Sequence, residues 1–267
     1  MPYDTLVLTP RSARSTRRLF TSYTGPLVRL RRAGVDDAEM DFGYDENGLI
    51  DVLAISAWLG AGPPRVVVWY AQTGNGRDMT QSTLSRQPEL DLVNYWVIFS
   101  GTTVLGRADT WSYPTSVTTA ANFTDKSTNR VYFGASGGAG WAFGWLVAAQ
   151  GWVATDATGG SGVRTNRANT LDAVNGSEHF CENRWPGQND CQTLVNGTVV
   201  GATSGSTSGP TTATLKQCGG WNTALFHAGM IAEQFEFDAD LAAGGNEADR
   251  NLLGNNSEFF GTSYTDV

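Results

Sequence analysis

Between Tyr95 and Val153 the chain advances in short apolar runs, each cut off by Gly, Ser, Thr or Asn: Tyr95 to Phe99, Val131 to Phe133, Trp141 to Val147 and Gln150 to Ala154. Runs of roughly 4–8 residues suit strands, whereas helices need roughly 10 or more, so this punctuation predicts stacked β-strands. The sharpest local signal is Leu194-Val195-Asn196-Gly197-Thr198-Val199-Val200. Asn-Gly between the strand-forming pairs Leu194-Val195 and Thr198-Val199 fits a type I′ turn, in which both central residues take positive φ, and so predicts a hairpin. Leu27 to Arg32 alternates in strand fashion with Arg29 and Arg31 outward, and Arg65 to Tyr70 reads as a buried strand. Ile231, Phe235 and Phe237 recur at even spacing within Gly229 to Phe237.

Three segments break the β pattern. Asp51 to Leu59 has helical spacing and stops at Gly60-Ala61-Gly62-Pro63-Pro64, and Ala248 to Phe260 reads as a closing helix with Leu252, Leu253, Phe259 and Phe260 as its buried stripe. Ser12 to Ser22 also reads as a helix, with Ser12 or Ser15 as N-cap and Arg17 and Arg18 on its solvated face. Ala202 to Thr214 is read as exposed polar strand. No repeat or internal boundary is evident, so the expected organisation is an arm over residues 1–14 and one all-β domain over 15–267. A length of 267 residues, 11% aromatic, can bury a real core.

A formal charge of −8 argues against a nucleic-acid or anionic-membrane binder, which needs a positive field, and the apolar runs are too interrupted to span a bilayer. Positive charge is instead concentrated at one end, in Arg11, Arg14, Arg17, Arg18, Arg29, Arg31 and Arg32, and offsetting acids recur through the last third. Arg11 and Arg14 are therefore the expected partner-docking residues of the arm; a plain solvated surface is the alternative. Thr5 to Thr9 is too short for the apolar core of a secretion signal. Cys181, Cys191 and Cys218 have no zinc-like spacing and are read as free thiols, with a Cys181–Cys191 loop as the alternative. His179 and His227 lack nucleophile partners at a recognisable spacing and read as structural. Gly134 to Gly140 lacks the Lys-Ser/Thr of a phosphate loop. Asp36, Asp37, Glu39 and Asp41 read as an exposed acidic loop, although such an oxygen-rich set would also suit calcium. No other cofactor is expected.

Two blocks carry a family resemblance. Ser15-Thr16-Arg17-Arg18-Leu19-Phe20-Thr21-Ser22-Tyr23-Thr24-Gly25-Pro26-Leu27-Val28-Arg29-Leu30-Arg31-Arg32, and then Val66-Val67-Val68-Trp69-Tyr70-Ala71-Gln72-Thr73-Gly74-Asn75-Gly76-Arg77-Asp78-Met79-Thr80-Gln81, resemble the start of the catalytic domain of α-L-arabinofuranosidase B, glycoside hydrolase family 54. Similar blocks occur in phage and prophage structural proteins with a concanavalin A-like domain. The resemblance implies an all-β, concanavalin A-like (laminin G-like) jelly-roll sandwich. Ala71 stands where the family usually has Asp. From the residues alone, Gly74-Asn75-Gly76 reads as a tight turn after a buried strand, with Tyr70, Gln72 and Gln81 serving nearby backbone groups.

Retaining hydrolysis needs two carboxyl groups about 5 to 5.5 Å apart. The family's nucleophilic Glu follows adjacent cysteines, which this chain lacks, so no catalytic residue carries over. Asp172, Glu178, Glu182, Asp190, Glu233 and Glu236 remain as acids, with Glu233 and Glu236 expected on opposite faces of one strand and solvated. Among the aromatics, Trp111, Tyr113, Trp141, Trp145, Trp152 and Trp221 read chiefly as packing, but Arg184-Trp185-Pro186-Gly187-Gln188-Asn189-Asp190 reads as a polar loop offering an aromatic face. Arg184, Trp185, Gln188, Asn189 and Asp190 are accordingly the expected carbohydrate-binding residues. The functional expectation is a non-enzymatic virion component: a head fibre, decoration or tail-appendage protein. It would be assembled in the host cytoplasm, exposed outside, and bind cell-surface polysaccharide beside other virion proteins and further copies of itself. An arabinofuranosidase-like hydrolase and a purely structural oligomeric subunit are the alternatives.

Overall fold

The computed structural model describes residues 2–109, 115–125, 127, 130–136, 141–146, 151–156, 178–187, 190–204, 215–221, 225–262 and 264–266. In chain order the strands are β1 Ser12–Ser15, β2 Val28–Arg32, β3 Glu39–Phe42, β4 Pro64–Trp69, β5 Met79–Thr80, β6 Glu89–Asp91, β7 Trp96–Ser100, β8 Leu105–Arg107, β9 Thr115–Phe123 and β10 Arg130–Ser136. They continue as β11 Trp141–Leu146, β12 Gly151–Asp156, β13 Glu178–Gly187, β14 Asp190–Val195, β15 Thr198–Ser204, β16 Leu215–Cys218, β17 Gly220–Trp221, β18 Leu225–Phe226 and β19 Ala228–Phe237. Helix α1, Val52–Leu59, precedes β4, and helix α2, Glu247–Ser257, follows β19 and tightens into a 3₁₀ turn over Glu258–Phe260.

Every pairing among the described residues is antiparallel, and the ladders fold into two layers. One layer runs β19–β9–β13–β14–β15, with β7 and β1 sharing the far edge of β19: β7 covers Ala228 to Ile231 and β1 covers Glu233 to Glu236. The other runs β12–β11–β10–β16–β8–β5–β4–β2–β3. β6 joins them by pairing with both β4 and β7. The chain is thus an all-β jelly-roll-like sandwich of concanavalin A type.

Burial follows this layering. Val28, Val66, Trp69, Val97, Val117, Phe123, Tyr132, Cys181 and Ile231 fill the space between the layers. The outer face of the first layer is also covered: Phe180, Phe235 and Phe237 pack under Tyr3, Leu19 and Leu253, the last from α2. This double coverage explains why β9 is buried along its whole length. Of the closing stripe, Leu253 and Phe260 are buried, Leu252 is half-buried and Phe259 is exposed.

Local signals hold where local chemistry decides. Asp51 caps α1 by accepting from the Ala54 N–H at 2.9 Å. Asn196 and Gly197 take φ of 51° and 82° between β14 and β15, as the type I′ reading requires. Gly74 and Gly76 sit at φ of 70° and 67° after β4. Cys181 and Cys218 are free and buried, so Cys181 closes no loop with Cys191. Residues 205–214, 137–140 and 111–114 lie outside the described residues.

The helix expected over Ser12 to Ser22 is overturned. Ser12 to Ser15 pair with β19, and every side chain of β1 is buried. Nor do residues 1–14 behave as a separate arm: Tyr3 is 1% exposed, and Asp249 accepts from the Val7 and Leu8 N–H groups at 3.0 and 2.7 Å. Once β1 completes an edge of the first layer, the segment before it is committed to covering the outer face.

Candidate functional site

The arginines at the start of the chain meet two sets of acids, near neighbours within the β2–β3 hairpin and distant partners in or beside β8 and β19. Arg29, Arg31 and Arg32 pair with Asp41, Glu39 and Asp36 along the β2–β3 hairpin, which accounts for the acidic loop locally. Among the described residues no group of His, Cys, Asp and Glu is arranged to hold a metal. Arg11 reaches Asp109 at 2.8 Å and Asp238 at 2.7 Å. Arg14 is fully buried, bonding Gln234 and, at 3.1 Å, Glu236. Arg14 therefore presents no charge to a partner, and Arg11 is held within the chain, because β1 delivers both to the β19 register.

Glu236 is the hub of a charged cluster between the layers. Arg107 from β8 reaches it at 2.8 Å and Lys216 from β16 at 3.0 Å, and both also pair with Asp109. Burial pushes the Glu236 carboxyl up, but Arg107, Lys216 and Arg14 outweigh it and hold the group well below the ordinary carboxylate range. Burial likewise acts on Asp109, and Lys216 with Arg107 reverses it, again keeping the acid ionised.

Glu233 points the other way. It accepts from the Tyr3 hydroxyl, and Arg17 Nε donates to it at 3.0 Å beneath the outer covering. Burial, reinforced by Glu233, drives the Tyr3 phenol well above its usual value. The two acids do lie on opposite faces, but neither is solvated: Glu233 is 3% and Glu236 1% exposed. Arg17, expected on a solvated helix, is buried as the counter-charge of Glu233.

The loop expected around Trp185 is a strand. β13 runs through Trp185 to Gly187, paired with β9 on one side and β14 on the other, and Trp185 is 3% exposed within the inter-layer core. Arg184 is buried and pairs with Glu182 and Asp240. A register shift between Arg184 and Gly187 accommodates Pro186, which is exposed. Gln188 and Asn189 lie outside the described residues, as does the side chain of Asp190. Cys181, Asn183 and Trp185 at even spacing were the available signal for a buried strand.

The described surface does carry a groove that sequence reasoning missed. It holds about 320 Å³ between the segment from Tyr3 to Pro10 and the wall formed by Phe20, Ser22, Gln72 and Thr73. Tyr3 forms its floor, tied below to Glu233 and Arg17. Gln72 is committed to the wall: its Oε1 accepts from the Leu19 N–H at 2.7 Å, and its Nε2 donates to the Arg17 carbonyl at 2.8 Å. Asp4 accepts from the Thr21 N–H at 2.9 Å and bridges the two sides at one end.

No protein-family model matches the chain, and no curated protein sequence matches it. Solved structures do. An arabinofuranosidase complexed with arabinofuranosyl-α-1,2-xylobiose superposes with a TM-score of 0.71 at 14% identity, covering 94% of this chain and 62% of that one. A glutamate-to-glutamine mutant of a family 54 α-L-arabinofuranosidase, soaked with 4-nitrophenyl α-L-arabinofuranoside, gives 0.71 at 14% identity, with 94% and 63% covered. This chain thus spans under two thirds of the length of those enzymes. At that identity the likeness establishes architecture, and the chain carries the concanavalin A-like β-sandwich fold seen in family 54 arabinofuranosidases.

Proposed function

We propose that this chain is a non-enzymatic carbohydrate-binding sandwich, displayed on a phage or phage-like particle, that contacts cell-surface polysaccharide. The observation that carries the carbohydrate reading is the superposition, over 94% of the chain, on an arabinofuranosidase crystallised with an arabinose-substituted xylobiose. The non-enzymatic reading draws support from the two acids of β19. A retaining hydrolase needs a paired nucleophile and proton donor about 5 to 5.5 Å apart facing one sugar. Glu236 is instead held ionised by cations inside the sandwich, and Glu233 is clamped under the outer covering. The particle setting, with other virion proteins and further copies of the chain as partners, rests on the resemblance of the 15–32 and 66–81 blocks to phage structural proteins. No helix among the described residues is long and apolar enough to cross a membrane.

A glycan array probed with the purified protein, run beside an assay on an aryl arabinofuranoside, tests the binding reading. Saturable retention of oligosaccharides without release of the aryl group is expected. Mass spectrometry of purified particles from the source strain tests the setting; absence of the protein from intact particles would remove it.

A further inference from the structure

Resting on the carbohydrate-binding reading, we propose that the groove between the N-terminal segment and the Phe20–Ser22/Gln72–Thr73 wall is the sugar site, and that it takes a neutral ring and not an acidic one. Its volume of about 320 Å³ falls at the small end of the roughly 300–1,000 Å³ range of small-molecule sites, enough for a sugar ring. Its lining mixes the two surfaces a sugar needs. Half-buried Phe20, Leu6 and Leu8 offer apolar faces to ring C–H groups, while Asp4, Ser22 and Thr73 offer polar atoms to hydroxyls.

Charge sets the ligand class. Among the described residues, Asp4 is the charged side chain of the lining, and no Lys or Arg lines the groove. A carboxylate accepts readily from sugar hydroxyls, but it repels a uronate, which nothing in the lining would neutralise. Only one Asp4 oxygen is used by the Thr21 N–H. A larger depression lined by Ala33, Pro63, Arg65 and Leu84 is more open, and its Arg65 is already paired with Glu89.

The walls are fixed before any ligand arrives. The Tyr3 N–H donates to the Leu19 carbonyl at 2.6 Å, the Leu6 N–H to the Tyr3 carbonyl at 3.1 Å, and Asp249 holds the Val7 and Leu8 N–H groups. Binding would therefore order little new chain.

The test is calorimetric titration of the full chain with arabinofuranosyl-xylobiose, neutral arabinan and galactan fragments, and oligogalacturonates as the acidic counterpart. The variants are Asp4→Asn, which keeps an oxygen for the Thr21 N–H, and Ser22→Trp, which fills the groove from an exposed position. With unchanged melting temperatures, each should weaken binding of the best neutral fragment by about tenfold or more. If wild type binds and both variants bind equally well, the groove is not the site, although the chain still binds carbohydrate. If oligogalacturonates bind better than neutral fragments, the assignment of ligand class is overturned. If wild type binds none of these sugars, the carbohydrate-binding reading falls together with the groove.

Discussion

Arg14 on β1 donates to Glu236 on β19 at 3.1 Å with both side chains shut off from solvent, an ion pair closed across 222 residues of chain. Glu236 also answers Arg107 and Lys216, so its removal leaves more charge uncompensated than the loss of any one cation. Breaking a buried pair from one side typically costs about 3–5 kcal/mol. Glu236→Gln should lose about that much stability in urea unfolding and Arg14→Met distinctly less. Equal losses would show that the cluster is not organised around the carboxylate.

His227 is fully buried between Phe99 and Phe123, and burial lowers its imidazole from 6.5 to about 3. The folded state thus favours the neutral ring. As pH falls below about 6.5 the unfolded chain takes up a proton that the folded chain refuses, so stability drops down to the folded value near 3. By pH 5 the loss relative to pH 8 should reach about 2 kcal/mol. His227→Leu should flatten that slope between pH 5 and 7, a range above the titration of Glu236. An unchanged slope in the variant would assign the acid sensitivity elsewhere.

Gly197 and Gly74 both hold positive φ but differ in surroundings. A Cβ on Gly197 would lie 2.0 Å from the Thr265 carbonyl oxygen, whereas one on Gly74 meets nothing within 4 Å. Gly74→Ala should cost only backbone strain, of order 1 kcal/mol, while Gly197→Ala adds displacement of the C-terminal segment and should cost distinctly more. Paired thermal melts decide it; equal shifts would mean that the tail does not pack on the hairpin.

Trp185 lies in the inter-layer core beside Val117 and Cys181, so truncation leaves a cavity. Trp185→Ala should destabilise by about 3–5 kcal/mol. A variant melting within error of wild type would return this residue to the surface.

Sequence pattern was informative wherever structure is set within a few residues: the Asn196-Gly197 hairpin, the helical spacing from Asp51 to Leu59, and the strand read over Arg65 to Tyr70, found as Pro64–Trp69. It misled where distant partners reverse a local preference. The segment from Ser12 to Arg17 looks solvated and helical because the counter-charges of Arg14 and Arg17, Glu236 and Glu233, lie at the other end of the chain. Arg184-Trp185-Pro186 looks like a loop because a proline at a register shift imitates a turn. The groove was illegible for the same reason, since Tyr3, Phe20 and Thr73 are gathered by the docking of β1 and not by proximity in sequence.

Whether this sandwich holds sugar without cleaving it is measured most directly by following binding and cleavage on one sample. The protein is incubated with arabinofuranosyl-xylobiose and with 4-nitrophenyl α-L-arabinofuranoside, and bound ligand and released product are followed together. Saturable binding of intact oligosaccharide with no nitrophenol above the buffer control is the predicted result. Nitrophenol release that scales with protein concentration, or no binding of either ligand or of any glycan on an array, would contradict it.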